Sequence, residues 1–141
     1  IEQESENYMS IRTITTIVVF LLPFSYSVNA EILLYSSNNE FKGCLDCNRY
    51  EDKSVCNRYG DYGSRYSDDS IWSGYGLGNR YPDDSPFSRY GQGLKMVDKE
   101  GNFYGYFSIS AGGEKKMQKL LKNIWESADG DYSAMRDLFC D

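Results

Sequence analysis

The sequence predicts an α+β fold: a small antiparallel sheet of two related β-hairpins, a Tyr/Gly-rich repeat region of short turns inserted between them, and one or two C-terminal helices. Three observations predict it. Residues 34–45 (LYSSNNEFKGCL) and 96–107 (MVDKEGNFYGYF) align at an offset of 62, with Phe41 on Phe103, Gly43 on Gly105 and Asn39 on Gly101. Between them the chain says nearly the same thing three times, as RYEDKSVCNRYGDYGS, RYSDDSIWSGYGLGN and RYPDDSPFSRYGQGL, with a period of 15 to 16 residues. Such self-similarity marks supersecondary units that gain stability by packing on their neighbours. After the second aligned segment, apolar residues recur at helical spacing.

Taken in order, the chain opens on a polar, acidic stretch, IEQESENY. From Met9 it reads as a short basic segment with Arg12, an apolar run ITTIVVFLLPF, and a polar SYSVNA ending at Ala30. That three-part pattern is a secretory signal peptide. The apolar run is about half the ~20 residues a spanning helix needs. The expectation for residues 1–30 is therefore upstream residues and a cleaved leader, with a secreted or periplasmic protein starting at Glu31 and no stable membrane insertion.

Residues 31–141 are expected to form one secreted domain. Residues 31–47 and 95–110 each read strand, turn, strand, with Asn38-Asn39 and Glu100-Gly101 at turns that require positive φ. A lone hairpin is marginal in water, so the two are expected to pair into one sheet of about four strands. Gly43 and Gly105 are candidate bulge positions. Within the repeats, residues 48–94, aliphatic side chains are scarce and the core must be aromatic: Cys56, Trp72 and Phe87 share one place, Tyr59, Tyr75 and Tyr90 follow each by three, which suits one side of a single helical turn, and Ser54, Ser70 and Ser85 stand ready to cap those turns. Five Arg-Tyr dipeptides invite stacking between units. Over residues 114–140, Met117, Leu120, Leu121, Ile124 and Trp125 form one helical face, and a second helix opens at Asp131 with Tyr132, Met135, Leu138 and Phe139 turned inward.

The strings GCLDCNRYEDKSVCNRYGDYGSRY and GLGNRYPDDSPFSRYGQGL resemble a family of uncharacterised, mostly secreted bacterial proteins with Asn-x-Tyr-Gly-x-Tyr-Gly-Ser repeats bracketed by Gly-x-Tyr/Phe-x-Gly hairpins. The resemblance covers roughly Leu33 to Ile109, and implies architecture and extracellular location rather than an activity. Where such proteins often carry Asn after the capped turn, this chain keeps Asn57 and has Ser73 and Ser88.

Four cysteines, Cys44, Cys47, Cys56 and Cys140, imply disulfides in an exported chain, with three possible connectivities. A Cys₄ zinc site is the rival, but residues 56 and 140 supply no second C-x-x-C. The pairing expected is Cys47–Cys56 and Cys44–Cys140.

Composition narrows the function. The 141-residue chain carries 15 bases against 21 acids, a net charge of −6, and no histidine. An acidic protein does not suit the phosphate backbone, so nucleic acid is not an expected partner. Without histidine the commonest general base and the commonest zinc ligand are both missing. No serine lies in a nucleophile-elbow motif, and no cofactor is implied. Asp68-Asp69 and Asp83-Asp84 could offer oxygen ligands to calcium, or carboxylates to glycoside hydrolysis, but lack the spacing of a known calcium loop. The expected function is a non-catalytic extracellular or envelope interaction module that contacts a glycan or an envelope protein through Tyr59, Tyr62, Tyr66, Trp72, Tyr75, Tyr81 and Tyr90. The alternative is a purely structural secreted scaffold; a calcium-binding or hydrolytic protein ranks below both.

Overall fold

A computed structural model describes residues 31–141, so the leader expected over residues 9–30 lies outside the described residues. Four strands form one antiparallel sheet: β1 (Leu33–Tyr35), β2 (Phe41–Cys44), β3 (Leu94–Val97) and β4 (Phe103–Phe107), in the order β2-β1-β3-β4. Two helices follow, α1 (Lys115–Ser127) and α2 (Tyr132–Cys140). The fold is α+β.

The aligned hairpins adopt matching backbones because the same local requirements recur. Asn39 and Gly101 turn the chain at φ of 63° and 84°. Each second strand then carries one extra residue against its partner, between the pairs Leu33↔Cys44 and Tyr35↔Phe41 in one hairpin and Lys95↔Tyr106 and Val97↔Phe103 in the other. The bulges contain Gly43 and Gly105, at φ of 117° and 106°, a conformation that a Cβ makes costly. The hairpins meet through β1 and β3, where Leu33 faces Val97, Leu34 faces Met96 and Tyr35 faces Lys95. The offset of 62 makes Leu34 and Met96 equivalent, and they lie opposite each other. The sheet therefore has an approximate two-fold axis, the arrangement two copies of a chain adopt in an isologous dimer.

Between β2 and β3 the chain runs as consecutive three-residue turns. Backbone N–H groups of residues 51, 54, 57, 60 and 63 each donate to the carbonyl three residues back; the pattern resumes at residues 67, 70, 73, 76 and 79, and again at 85 and 88. Pro82 interrupts it, having no N–H to give Asn79. At most corners a side chain supports the turn: Asn48, Ser54, Asn57, Ser64, Ser67, Ser70, Asn79 and Ser85 each accept the N–H two residues on. These short polar groups are favoured at turns for that hydrogen bond. Five such turns make 15 residues. In the first unit one extra residue is absorbed where Ser64 N–H reaches Gly60 O at 3.0 Å.

The helices start at capping carboxylates. Glu114 accepts from Met117 N–H, and Asp131 accepts from Ser133 and Ala134 N–H. Leu121, Ile124 and Met135 enter a core shared with Leu34, Met96 and Phe107 of the sheet and Val55, Ile71, Trp72 and Phe87 of the turns. Leu120 and Leu138, expected to face inward, are exposed, because the inward face of each short helix is already filled by its neighbours.

The disulfide pairing corrects the sequence expectation. Cys44 bonds Cys47 and Cys56 bonds Cys140, and none of the four is free. Cys56 occupies the same inward position as Trp72 and Phe87, so its sulfur points at α2 rather than back at Cys47. The chain turns sharply after β2, which brings Cys47 onto Cys44.

Candidate functional site

Each unit of turns offers two-residue slots between corners, and each slot has its own direction. Val55-Cys56, Ile71-Trp72 and Pro86-Phe87 point inward, with their corner serines Ser54, Ser70 and Ser85 also buried. Lys53, Asp69 and Asp84 share a second slot, aimed at the first hairpin: Lys53 pairs with Glu31 at 2.7 Å, Asp69 with Lys42 at 2.7 Å, and Asp84 accepts from the Ser37 N–H at 2.9 Å. The acidic doublets considered as calcium ligands thus tie the turns to the sheet through Asp69 and Asp84.

Two of the remaining three slots, each headed by Arg or Gly and ending in Tyr, face outward. Arg49 pairs with Asp141, Arg58 pairs with Asp137, Arg65 donates to Ser133, and Arg80 lies over Trp125, so the arginines reach the helices while the tyrosines beside them do not. Tyr50, Tyr66 and Tyr81 are at least 80% exposed, and Tyr59, Tyr75 and Tyr90 at least 97%. Two departures from expectation follow. Tyr59, Tyr75 and Tyr90 do not share a side with Cys56, Trp72 and Phe87, because the three-residue turn rotates the slots away from one another. Arg65 stacks on its own neighbour Tyr66, 4.7 Å from the ring centre, rather than between units.

Of the seven aromatic residues expected to bind, five are exposed: Tyr59, Tyr66, Tyr75, Tyr81 and Tyr90. Tyr50 belongs with them; sequence reasoning missed it although it follows an Arg as Tyr59, Tyr66, Tyr81 and Tyr90 do. Tyr62 is half-buried, its ring packed edge-on to Phe41 at 5.0 Å, and burial raises its pKa above the ordinary value. Trp72 is fully buried, and its Nε1–H donates to Val55 O at 2.7 Å. It is a core residue that contacts Phe87 and Phe139, so its place among the binding residues is corrected.

Tyr66 and Tyr75 are brought together at a groove of about 490 Å³ between the second unit and the turn linking α1 to α2. Arg65, Asp131 and Ser133 supply its polar edge, with the Trp72 residue at its base. Unit two carries Gly74 where the other units carry Arg58 and Arg89, which leaves room for the Tyr132 ring at this edge of the groove. A Cβ at Gly74 would come within 2.9 Å of the Tyr132 ring, whose hydroxyl donates to Gly78 O at 2.6 Å.

Two other clusters resolve as structural. Glu31, Cys44 and Cys47 lie close enough to hold an ion, but the two sulfurs are bonded to each other and offer no thiolate. Asp98 accepts from Asn102 Nδ2, Tyr104 Oη and the N–H groups of Glu100 and Asn102. Those bonds, the Asn102 side chain first, hold its carboxyl at about 2 and push the Tyr104 phenol up. It fastens the β3–β4 turn. Comparison of the chain with family models, curated proteins and solved structures gives no match, so any functional reading rests on this geometry.

Proposed function

We propose that the chain is a non-catalytic binding module of the extracellular or envelope space that grips a glycan through its exposed tyrosines. The carrying observation is the groove walled by Tyr66 and Tyr75. Rigid amphipathic rings supply contact area at low entropic cost, and Asp131, Ser133 and Arg65 supply donors and acceptors for hydroxyl groups. Rings held nearly free of protein contact at two matched slots per unit suit a repeating ligand better than a core. Two disulfides suit an oxidising compartment, and no described helix is long and apolar enough to cross a membrane. A non-catalytic role fits the use of Asp98 as a turn fastener, since its carboxyl is fully engaged.

Affinity electrophoresis of the full chain through gels containing different polysaccharides tests the reading. Retardation by at least one polysaccharide is expected, lost in Tyr66→Ser/Tyr75→Ser. Unchanged mobility in every gel, or retardation that survives the double change, defeats it. A purely structural role is the second reading, favoured by the inward slots, where Cys56, Trp72 and Phe87 join one core with the helices. It predicts that all the exposed tyrosines can be replaced with no loss of any binding.

A further inference from the structure

The arginines of the third unit meet something different from those of the first. In unit one both end on a carboxylate of the chain, Arg49 on Asp141 at 3.2 Å and Arg58 on Asp137 at 2.7 Å. The equivalent residues of unit three, Arg80 and Arg89, come up instead beside α1, which offers Lys122 and Glu126. Among the described residues neither arginine, nor Lys122, forms an ion pair. Three cations and one exposed carboxylate thus border a cleft of about 480 Å³. Its apolar lining includes buried Phe87 and half-buried Trp125, whose rings lie 5.4 Å apart, and the Arg80 guanidinium sits 5.8 Å from the Trp125 ring centre.

We propose that this cleft binds a carboxylate carried on a ring. The carboxylate takes the role that Asp137 and Asp141 play for unit one, and the ring lies along Trp125. A guanidinium stacked on an indole keeps its planar fork of donors, which matches a carboxylate in two parallel bonds. The volume falls within the roughly 300–1,000 Å³ of small-molecule sites. A bare inorganic anion would leave the aromatic lining unused. The ring can be that of a sugar acid or of an aromatic acid, and the two share the chemistry that the cleft recognises.

Isothermal titration of the full, disulfide-bonded chain with digalacturonate and, separately, with indole-3-acetate tests this, with galactobiose and inorganic phosphate as controls. At least one carboxylate should bind saturably, and Arg80→Gln and Arg89→Gln should each weaken it about tenfold or more, the scale of losing a charged hydrogen bond. Lys122→Gln should weaken it less, and Arg58→Gln, in the equivalent slot of unit one, should leave it unchanged. Whichever compound binds identifies the source of the ring. The proposal is overturned by saturable binding of neither carboxylate, by affinity indifferent to both arginine changes, or by phosphate or galactobiose binding as tightly as the acids.

Discussion

The sheet and the chain of turns are both built from aligned segments, yet they hold themselves together in opposite ways. In the sheet the two copies bind each other, β1 against β3, through interstrand hydrogen bonds that any side chain permits. In the turns the recurrent hydrogen bonds stay within each triplet, so the copies depend on corner side chains, on a filled inward slot, and on ties to the sheet and helices. Side chains therefore carry a larger share of the structure in the turns. The slots that are not needed for it stay free to face a partner.

The largest effects should fall where turns meet helix. Removing the Cys56–Cys140 bond by a double change to Ala should cost about 4–5 kcal/mol, because it closes a loop with a separation of 84 residues. Trp72→Ala should cost about 3–5 kcal/mol, the range for deleting a large buried ring. Removing Cys44–Cys47, with a separation of only 3, should cost about 2 kcal/mol. Urea unfolding of the three variants ranks them, and equal losses from the two disulfides would contradict the contrast between a local clip and a long tether.

On the sheet side, Asp98→Asn gives a pH-dependent effect whose sign is fixed. The Asp98 carboxyl titrates near 2 when folded against an ordinary 3.8, so its contribution is full above the unfolded value and disappears as pH falls through about 2. The gap in urea midpoint between parent and variant should be widest near neutrality and close in strong acid. A gap that persists in strong acid would mean that the hydrogen bonds matter without the charge. The smallest effect belongs to an outward slot: Tyr90→Ser should change stability by less than about 0.5 kcal/mol, as a nearly fully exposed side chain. A larger loss would erase the division between structural and free slots.

The parts of this fold legible in the sequence are those set by local demands. Asn39, Gly43, Gly101 and Gly105 are required by backbone angles, and Asp131 by an unsatisfied helix start, so hairpins and helices could be placed within a residue or two. The three-residue turn was missed although its signal is present, as Asn, Ser or Gly at nearly every third position from Asn48; aligning on Arg-Tyr hid the shorter period. Cysteine pairing was not legible, because it depends on which way the inward slot points once α2 is docked; the core place of Trp72 was legible from its alignment with Cys56 and Phe87, and that burial is what removes it from the binding residues. The carboxylate cleft is further removed still, since it needs Arg80, Arg89 and Lys122 from separate parts of the chain to converge.

The single wide turn at Gly60–Ser64 acts on the chain as a compensating frameshift acts on a gene. Every slot after it keeps its direction only because the extra residue is absorbed there. One residue added elsewhere would put each following side chain out of phase, turning tyrosines toward the core and Trp72 or Phe87 toward water. Length changes in this region should therefore survive in fifteens, the five turns that return each slot to its direction, or in ones only where a turn can widen, and a library of insertions of graded length between residues 48 and 91 would expose that arithmetic directly.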